Sequence, residues 1–162
     1  MTFPPDTTTA ERFRNVMRDV PAAVTVVTTR TDNAPHGATV SAFMSLSMDP
    51  PMLLVSLDNR STLLTRLTMG SVAGVNILAT DQSEIATFFA TRGRDHSSVV
   101  WEPDDGGPPR LPGCLAWVTF TVDRLTTVGD HTLVIGEVRS AETASGDPLL
   151  YLRRGYGSFD HR

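Results

Sequence analysis

The apolar rhythm of the chain opens on one helical stretch and then turns almost wholly to strands. Phe13, Val16, Met17 and Val20 recur at helical spacing behind Thr8-x-x-Glu11, a capping-box pattern, and Pro21 stops the run. Residues 9–19 are therefore predicted as a short amphipathic helix, and residues 1–8 as a flexible tail. Ala23-Val24-Thr25-Val26-Val27-Thr28-Thr29 is rich in β-branched residues and reads as a strand. Asp32-Asn33-Ala34-Pro35-His36-Gly37 is a turn, and residues 38–47 form a second strand that Asp49-Pro50-Pro51 breaks. Residues 52–57 are apolar enough for a central strand. Residues 61–67 read as a short helix capped by Asn59 or Ser61, and residues 71–78 as a fourth strand. Asp81-x-x-Glu84 opens a helix with Ile85, Phe88 and Phe89 on one face.

The second half keeps the same character. Residues 92–113 hold Gly, Pro and Asp clusters around Trp101 and read as a long loop of the kind that often carries function. Residues 115–125 and 132–140 are long strands joined around Gly129-Asp130, and residues 149–153 form a last short strand. No repeat or linker divides the chain, so residues 1–162 are expected to be a single domain. Six or seven strands with two or three short helices predict a mainly β fold, a closed or split β-barrel. Several connections are too short to carry the helices of a doubly wound sheet.

Composition narrows the function. The net charge of -4 argues against binding nucleic acid as a main role. The single cysteine, Cys114, forbids an internal disulfide and fits a reducing cytoplasm. Neither a signal peptide nor a membrane-length apolar run is visible, so a cytoplasmic location with no membrane contact is expected. All 14 basic residues are Arg. The chain has no G-x-G-x-x-G, no P-loop and no G-x-S-x-G elbow, and its four His residues lie far apart. No metal site is expected from such spacing. Chemistry that needs no protein nucleophile suits this inventory, and hydride transfer between two bound cofactors is one such reaction.

Four segments offer binding chemistry, each with a plainer alternative. Gly37-Ala38-Thr39-Val40-Ser41-Ala42-Phe43-Met44-Ser45 presents small, hydroxylated side chains to a flat polar ring, or is an edge strand with a solvated face. Asp58-Asn59-Arg60-Ser61-Thr62 runs from a strand into the predicted helix, whose N-terminus with Arg60 suits a phosphate, or is a plain cap with a solvated Arg. Gly129-Asp130-His131-Thr132 holds His131 at a pocket mouth, or is a hairpin turn with a surface histidine. Tyr151-Leu152-Arg153-Arg154-Gly155-Tyr156-Gly157 offers aromatics and cations to a ligand, or is a strand packed on the barrel end. Asn76, Gln82 and Arg92 join a site only if the fold gathers them.

Taken in order, these segments resemble the short-chain flavin reductase family, the reductase components of two-component flavin monooxygenases. The resemblance covers about residues 10–157. It rests on the strand at residues 23–29, Gly37-Ala38-Thr39-Val40-Ser41-Ala42-Phe43, Ser45-Leu46-Ser47-Met48-Asp49-Pro50-Pro51, Val75-Asn76-Ile77-Leu78, Gly129-Asp130-His131 and Pro148-Leu149-Leu150-Tyr151. It implies an FMN-binding split barrel that forms a homodimer and transfers hydride from NADH or NADPH to FMN or FAD. It implies that Thr39, Val40, Ser41 and Ala42 line the flavin ring, with Ser45 also expected to bind cofactor, and that Asn59, Arg60, Ser61 and Thr62 hold its phosphate. It also implies that Gly129, Asp130 and His131 face the nicotinamide, His131 positioning it rather than acting as acid or base, with Tyr156 nearby. Reduced flavin would then leave for a partner monooxygenase. Two departures bear on flavin preference: Ser41-Ala42 stands where many relatives carry two Ser, and Arg60 is the one cation before the small helix, where relatives often carry Cys or Lys. Two other readings share the fold, a flavin- or haem-binding sensor or carrier and a pyridoxine phosphate oxidase-like enzyme. The basic cluster expected of the latter is hard to find.

Overall fold

Seven antiparallel strands form one sheet in the order β3-β2-β6-β7-β8-β5-β4. They are β2 (Thr25–Thr31), β3 (Ala34–Val40), β4 (Phe43–Met48), β5 (Pro51–Asp58), β6 (Val72–Ile77), β7 (Ala116–Val128) and β8 (His131–Thr143). The structure is a computed structural model that describes residues 8–103 and 106–159. The outermost strands of the sheet, β3 and β4, are joined by only Ser41 and Ala42, so the sheet must roll up until its two edges meet there. At that seam the Ser56 N–H donates to the Ala42 carbonyl at 2.9 Å. The result is a split β-barrel. Short strands β1 (Ala22–Ala23), β9 (Leu150–Leu152) and β10 (Gly155–Gly157) make a second sheet.

Two apolar clusters hold the fold. Val27, Leu53, Val55, Phe120, Val122 and Val134 fill the barrel. Val24, Val26, Leu78, Leu111 and Leu149 pack outside it, under Ala86 and Phe89 of helix α2 (Ser83–Ala90). β2 lies between the clusters, with Val26 in one and Val27 in the other. Burial on both faces explains its β-branched run without polar alternation. The loop before β7 is strapped down by polar bonds: Asn76 Oδ1 accepts from the Leu111 N–H at 2.7 Å, and Thr28 Oγ1 donates to the Pro109 carbonyl at 2.6 Å.

Several predicted elements need correcting. The expected helix at 61–67 is one 3₁₀ turn, Leu64–Arg66. The chain leaves β5 through a tight turn in which the Ser61 N–H donates to the Asp58 carbonyl, and Leu63 and Leu67 are buried at the barrel end. The strand at 38–47 is two strands with the Ser41-Ala42 bend between them, and the turn at 32–37 contracts to Asp32-Asn33, both at positive φ (51° and 61°) as a two-residue type I′ hairpin requires. The last strand is a hairpin, β9 to β10, turned at Arg153-Arg154. Helix α1 (Thr9–Met17) carries the predicted capping box, yet none of its residues is buried. The tail at 1–8 lies outside the described residues apart from Thr8.

Candidate active site

A groove of about 680 Å³ runs along β3. Its walls are residues 34–42, the end of β5 from Ser56 to Asp58, the turn Arg60–Thr62, the end of α2 with the loop to Ser97, and His131. β3 pairs only with β2, so its outer edge faces this space. In an antiparallel strand alternate residues turn both backbone polar groups the same way. Gly37 uses its outward N–H to donate to His96 Nδ1 at 3.2 Å, and Pro35, which has no N–H to leave unpaired, shares that side. Thr39 therefore presents its backbone polar groups to the groove as well. Its hydroxyl donates to the Ala86 carbonyl at 2.6 Å and ties β3 to α2. Small side chains at Gly37, Ala38, Thr39, Ser41 and Ala42 keep this wall low.

One end of the groove is cationic. Arg60 and Arg92 meet there around Asp58, with the hydroxyl-bearing Ser61 and Thr62, while Arg94, also on the lining, lies with its guanidinium over the Phe88 ring, 5.6 Å from the ring centre. Asp58 Oδ1 accepts from the Arg60 N–H at 2.8 Å and from Arg60 Nε at 3.0 Å, and Asp58 Oδ2 accepts from Arg60 Nη2 at 2.7 Å. The Arg60 hydrogen bonds hold the Asp58 carboxyl far below the usual carboxylate range and push the guanidinium up. No helix dipole adds to this end, because the one-turn 3₁₀ helix has no macrodipole of consequence.

His131 begins β8, directly opposite Asp58 on β5. The hairpin before it turns on Gly129, whose φ of 61° suits the first central position of a type II′ turn. Asn59 fixes that turn from the side: its Nδ2 donates to the Gly129 carbonyl at 3.3 Å, its N–H donates to the Asp130 carbonyl at 3.0 Å, and its Oδ1 accepts from Thr132 Oγ1 at 2.8 Å. His131 Nδ1 pairs with Asp130 Oδ1 at 2.7 Å, and that bond lowers the Asp130 pKa. Among the described residues the other ring nitrogen has no hydrogen-bond partner.

The structure thus gathers Thr39, Val40, Ser41, Ala42, Arg60, Ser61, Thr62, Arg92 and His131 along one groove. Gly129, Asp130 and Asn59 support it from behind. Four expected residues lie elsewhere. Asn76 is fully buried and spent on the Val26 carbonyl, Thr28 Oγ1 and the Leu111 N–H. Gln82 bonds the Ala79 N–H and the Pro112 carbonyl. Ser45 sits past the bend on β4 with its hydroxyl on Met48 Sδ. Tyr156 packs at a tilt against Tyr151, ring centres 5.5 Å apart, in a separate depression beside Phe88 and Arg94.

Reasoning from motifs missed His36, Asp58, Phe89, Arg94 and His96, all of which line the groove. The length of the 92–113 loop was the signal available for Arg94 and His96, and Asp58 opens the segment already singled out around Arg60. His96 is held in place by Phe89, with ring centres 4.9 Å apart, and burial keeps its imidazole below the usual pKa. Burial lowers His36 too, helped by the charges of Arg66 and His96.

A flavin mononucleotide asks for a low wall beside a flat ring, backbone polar groups for the ring edge, and a cationic end for a phosphate. The β3 edge, the small residues at 37–42 and the pair Arg60 and Arg92 meet those requirements. A split barrel that opens such a groove fits the class of flavin-binding proteins. The family model described as flavin reductase like domain matches residues 17–160. The FMN reductase (NADH) SmoA of Agrobacterium fabrum is 33% identical over 160 residues, covering 99% of this chain and 92% of that protein. The reductase component of 4-nitrophenol 4-monooxygenase/4-nitrocatechol 2-monooxygenase from Rhodococcus opacus is 37% identical over 147 residues, covering 91% and 80%. Among solved structures, flavin reductase PheA2 superposes with a TM-score of 0.87 at 34% identity, covering 95% of this chain and 100% of that one. The NADH:FAD oxidoreductase SgcE6 of Streptomyces globisporus, in complex with NAD and FAD fragments, has a TM-score of 0.87 at 28% identity, covering 98% of both chains. The chain belongs to the flavin reductase family and is a flavin reductase.

Proposed function

We propose that the groove along β3 is where NADH reduces FMN, and that the reduced flavin then leaves to serve a separate monooxygenase. The observation that carries this reading is one groove with an unpaired strand edge along one wall, Arg60 and Arg92 together at one end and His131 on its lining. Flavin bound there accepts a hydride from the dihydronicotinamide, so the two rings exchange electrons directly and no protein nucleophile is needed. The protein's part is to hold both rings in register and keep water out. Outward backbone groups of β3 meet the polar edge of the flavin ring. Arg60, Ser61, Thr62 and Arg92 take the phosphate by charge-assisted hydrogen bonds. His131, steadied by Asp130, offers its free ring nitrogen to the nicotinamide amide and orients it. Asn59 acts through the Gly129 turn and so positions His131 without touching substrate.

The reading extends to the assembly. The chain works as one domain and pairs with a second copy of itself. Support for pairing comes from α1, where Phe13, Val16 and Met17 are exposed although they form an apolar stripe, and from the edge strand β4, where Met44, Leu46 and Met48 are exposed. No helix among the described residues is long and apolar enough to cross a membrane. A cytoplasmic enzyme would meet NADH and keep the buried Cys114 reduced.

Steady-state NADH oxidation with no flavin, FMN, FAD or riboflavin, repeated with NADPH, tests the activity. Oxidation should require added or retained flavin and should saturate with it. A protein that binds flavin but oxidises neither nicotinamide would be a carrier, and the reading would fail. His131→Ala should raise the KM for NADH several-fold with a smaller loss of kcat. If neither constant moves, the nicotinamide role belongs to another residue.

A further inference from the structure

The turn that leaves β5 places a carboxylate where an anion is wanted. Asp58 occupies the Arg60 backbone N–H, Nε and Nη2, at 2.8, 3.0 and 2.7 Å. Arg92 Nη2 lies 3.9 Å from the same carboxylate, at Oδ2. These are the donors that a phosphate would use at this end of the groove. Asp58 itself lines the groove, with a side chain 32% exposed, while the Arg60 side chain is 76% exposed.

We propose that Asp58 is a built-in competitor for the flavin phosphate, occupying Arg60 and bordering Arg92 in the free enzyme so that FMN binds by exchanging one anion for another. This rests on the reading of the groove as the flavin site with Arg60 at its phosphate end. A phosphate entering an open arginine pair would gain the full set of charge-assisted bonds. Entering here, it gains only the difference between its own bonds and those Asp58 gives up, and it then sits beside a displaced negative charge. The Arg60 hydrogen bonds keep Asp58 ionised throughout the working pH range, so the competition does not relax near neutrality. An enzyme that must release its flavin benefits from such a shallow hold. Asp58 sets how firmly phosphate-bearing flavins are retained, while the ring is held elsewhere in the groove.

The test is a fluorescence titration of FMN and of riboflavin into the full chain, as wild type, Asp58→Asn, Arg60→Ala and the double variant. Asparagine keeps an oxygen for the Arg60 N–H but removes the charge. The FMN-to-riboflavin affinity ratio should rise about two- to fivefold in Asp58→Asn, the scale of one solvent-exposed charge pair. That gain should shrink when Arg60 is already Ala. A ratio that stays the same or falls in Asp58→Asn overturns the proposal, because Asp58 would then orient Arg60 for phosphate rather than compete with it. An equal gain with and without Arg60 overturns it as well. A wild type that does not distinguish FMN from riboflavin, with Arg60→Ala no different, instead removes the phosphate end from the functional reading. Should Asp58→Asn fail to fold, Asp58→Ser keeps a turn-capping oxygen and gives the same readout.

Discussion

His96 shows how a single side chain outside any motif shapes the site. Its Nδ1 accepts the Gly37 N–H from the free edge of β3, which requires that nitrogen to be unprotonated. Burial between α2 and β3 holds its pKa below the ordinary value of 6.5. A histidine depressed in the folded state contributes stability that is complete above the unfolded value and is lost as pH falls through the folded one. The groove wall should therefore loosen on the acid side of about 6.5. Riboflavin, which has no phosphate to titrate, is the substrate for checking this. Its KM should climb as pH drops below that value, and His96→Ala should start from a higher KM with a flatter acid limb. An identical acid limb in the variant would show that His96 does not carry the effect. At this scale the sequence was informative only where a residue sat in an ordered motif. Arg60 and His131 were legible for that reason. His96 and Arg94 come to the groove through a loop whose path depends on Trp101 and Phe89 packing, and neither has a local signature. Asn76 was misread because a buried amide that straps a loop looks, in sequence, the same as one waiting for a ligand.

The elements obey simpler rules. The Thr8–Glu11 capping box formed as its spacing predicted, because both partners lie within four residues. β2, β5 and β8 were legible from β-branched and apolar runs. The helix expected at 61–67 was not, because side-chain and backbone bonds at Asp58 tighten the exit from β5 and burial of Leu63 and Leu67 sets the rest. Close packing of strands also leaves a mark that sequence does not announce. At Gly136 in β8 an added Cβ would meet the Phe120 ring and lie 2.7 Å from the Thr121 carbonyl. Phe120 is wholly buried, so the ring has little room to yield. Gly136→Ala should therefore cost about 1–3 kcal/mol by overpacking. For a chain of this size that lowers Tm by roughly 2–4 °C per kcal/mol. Thermal unfolding followed by circular dichroism measures it, and an unchanged Tm would mean that the β7–β8 hairpin shifts freely at this point.

At the scale of the whole molecule, several large apolar side chains stand outside the core. Phe13, Val16 and Met17 on α1 make an amphipathic helix whose apolar side is left exposed by the described residues. A short helix of this kind needs tertiary packing to be stable. The second copy supplies that packing in the proposed dimer. Sedimentation velocity should give the mass of a dimer, and Phe13→Asp with Met17→Asp should shift it toward the monomer. A wild type that sediments as a monomer at micromolar concentration would remove the dimer from the account. The barrel itself was legible in the count and spacing of strands. Its seam was not, because Ser41-Ala42 reads as the middle of one strand until the sheet is seen to close there.

The central claim is that flavin is bound and reduced in the β3 groove. Mapping amide chemical shifts during an FMN titration tests it most directly. Shifts should gather at residues 37–42, at Asp58, Arg60, Ser61 and Thr62, at residues 92–97 and at His131. NADH added with FMN should then extend them around the Gly129 turn. A second depression is lined by Thr31, Thr68 and Arg139. Shifts centred there, or at Tyr151 and Tyr156, with the β3 edge unmoved, would contradict the account.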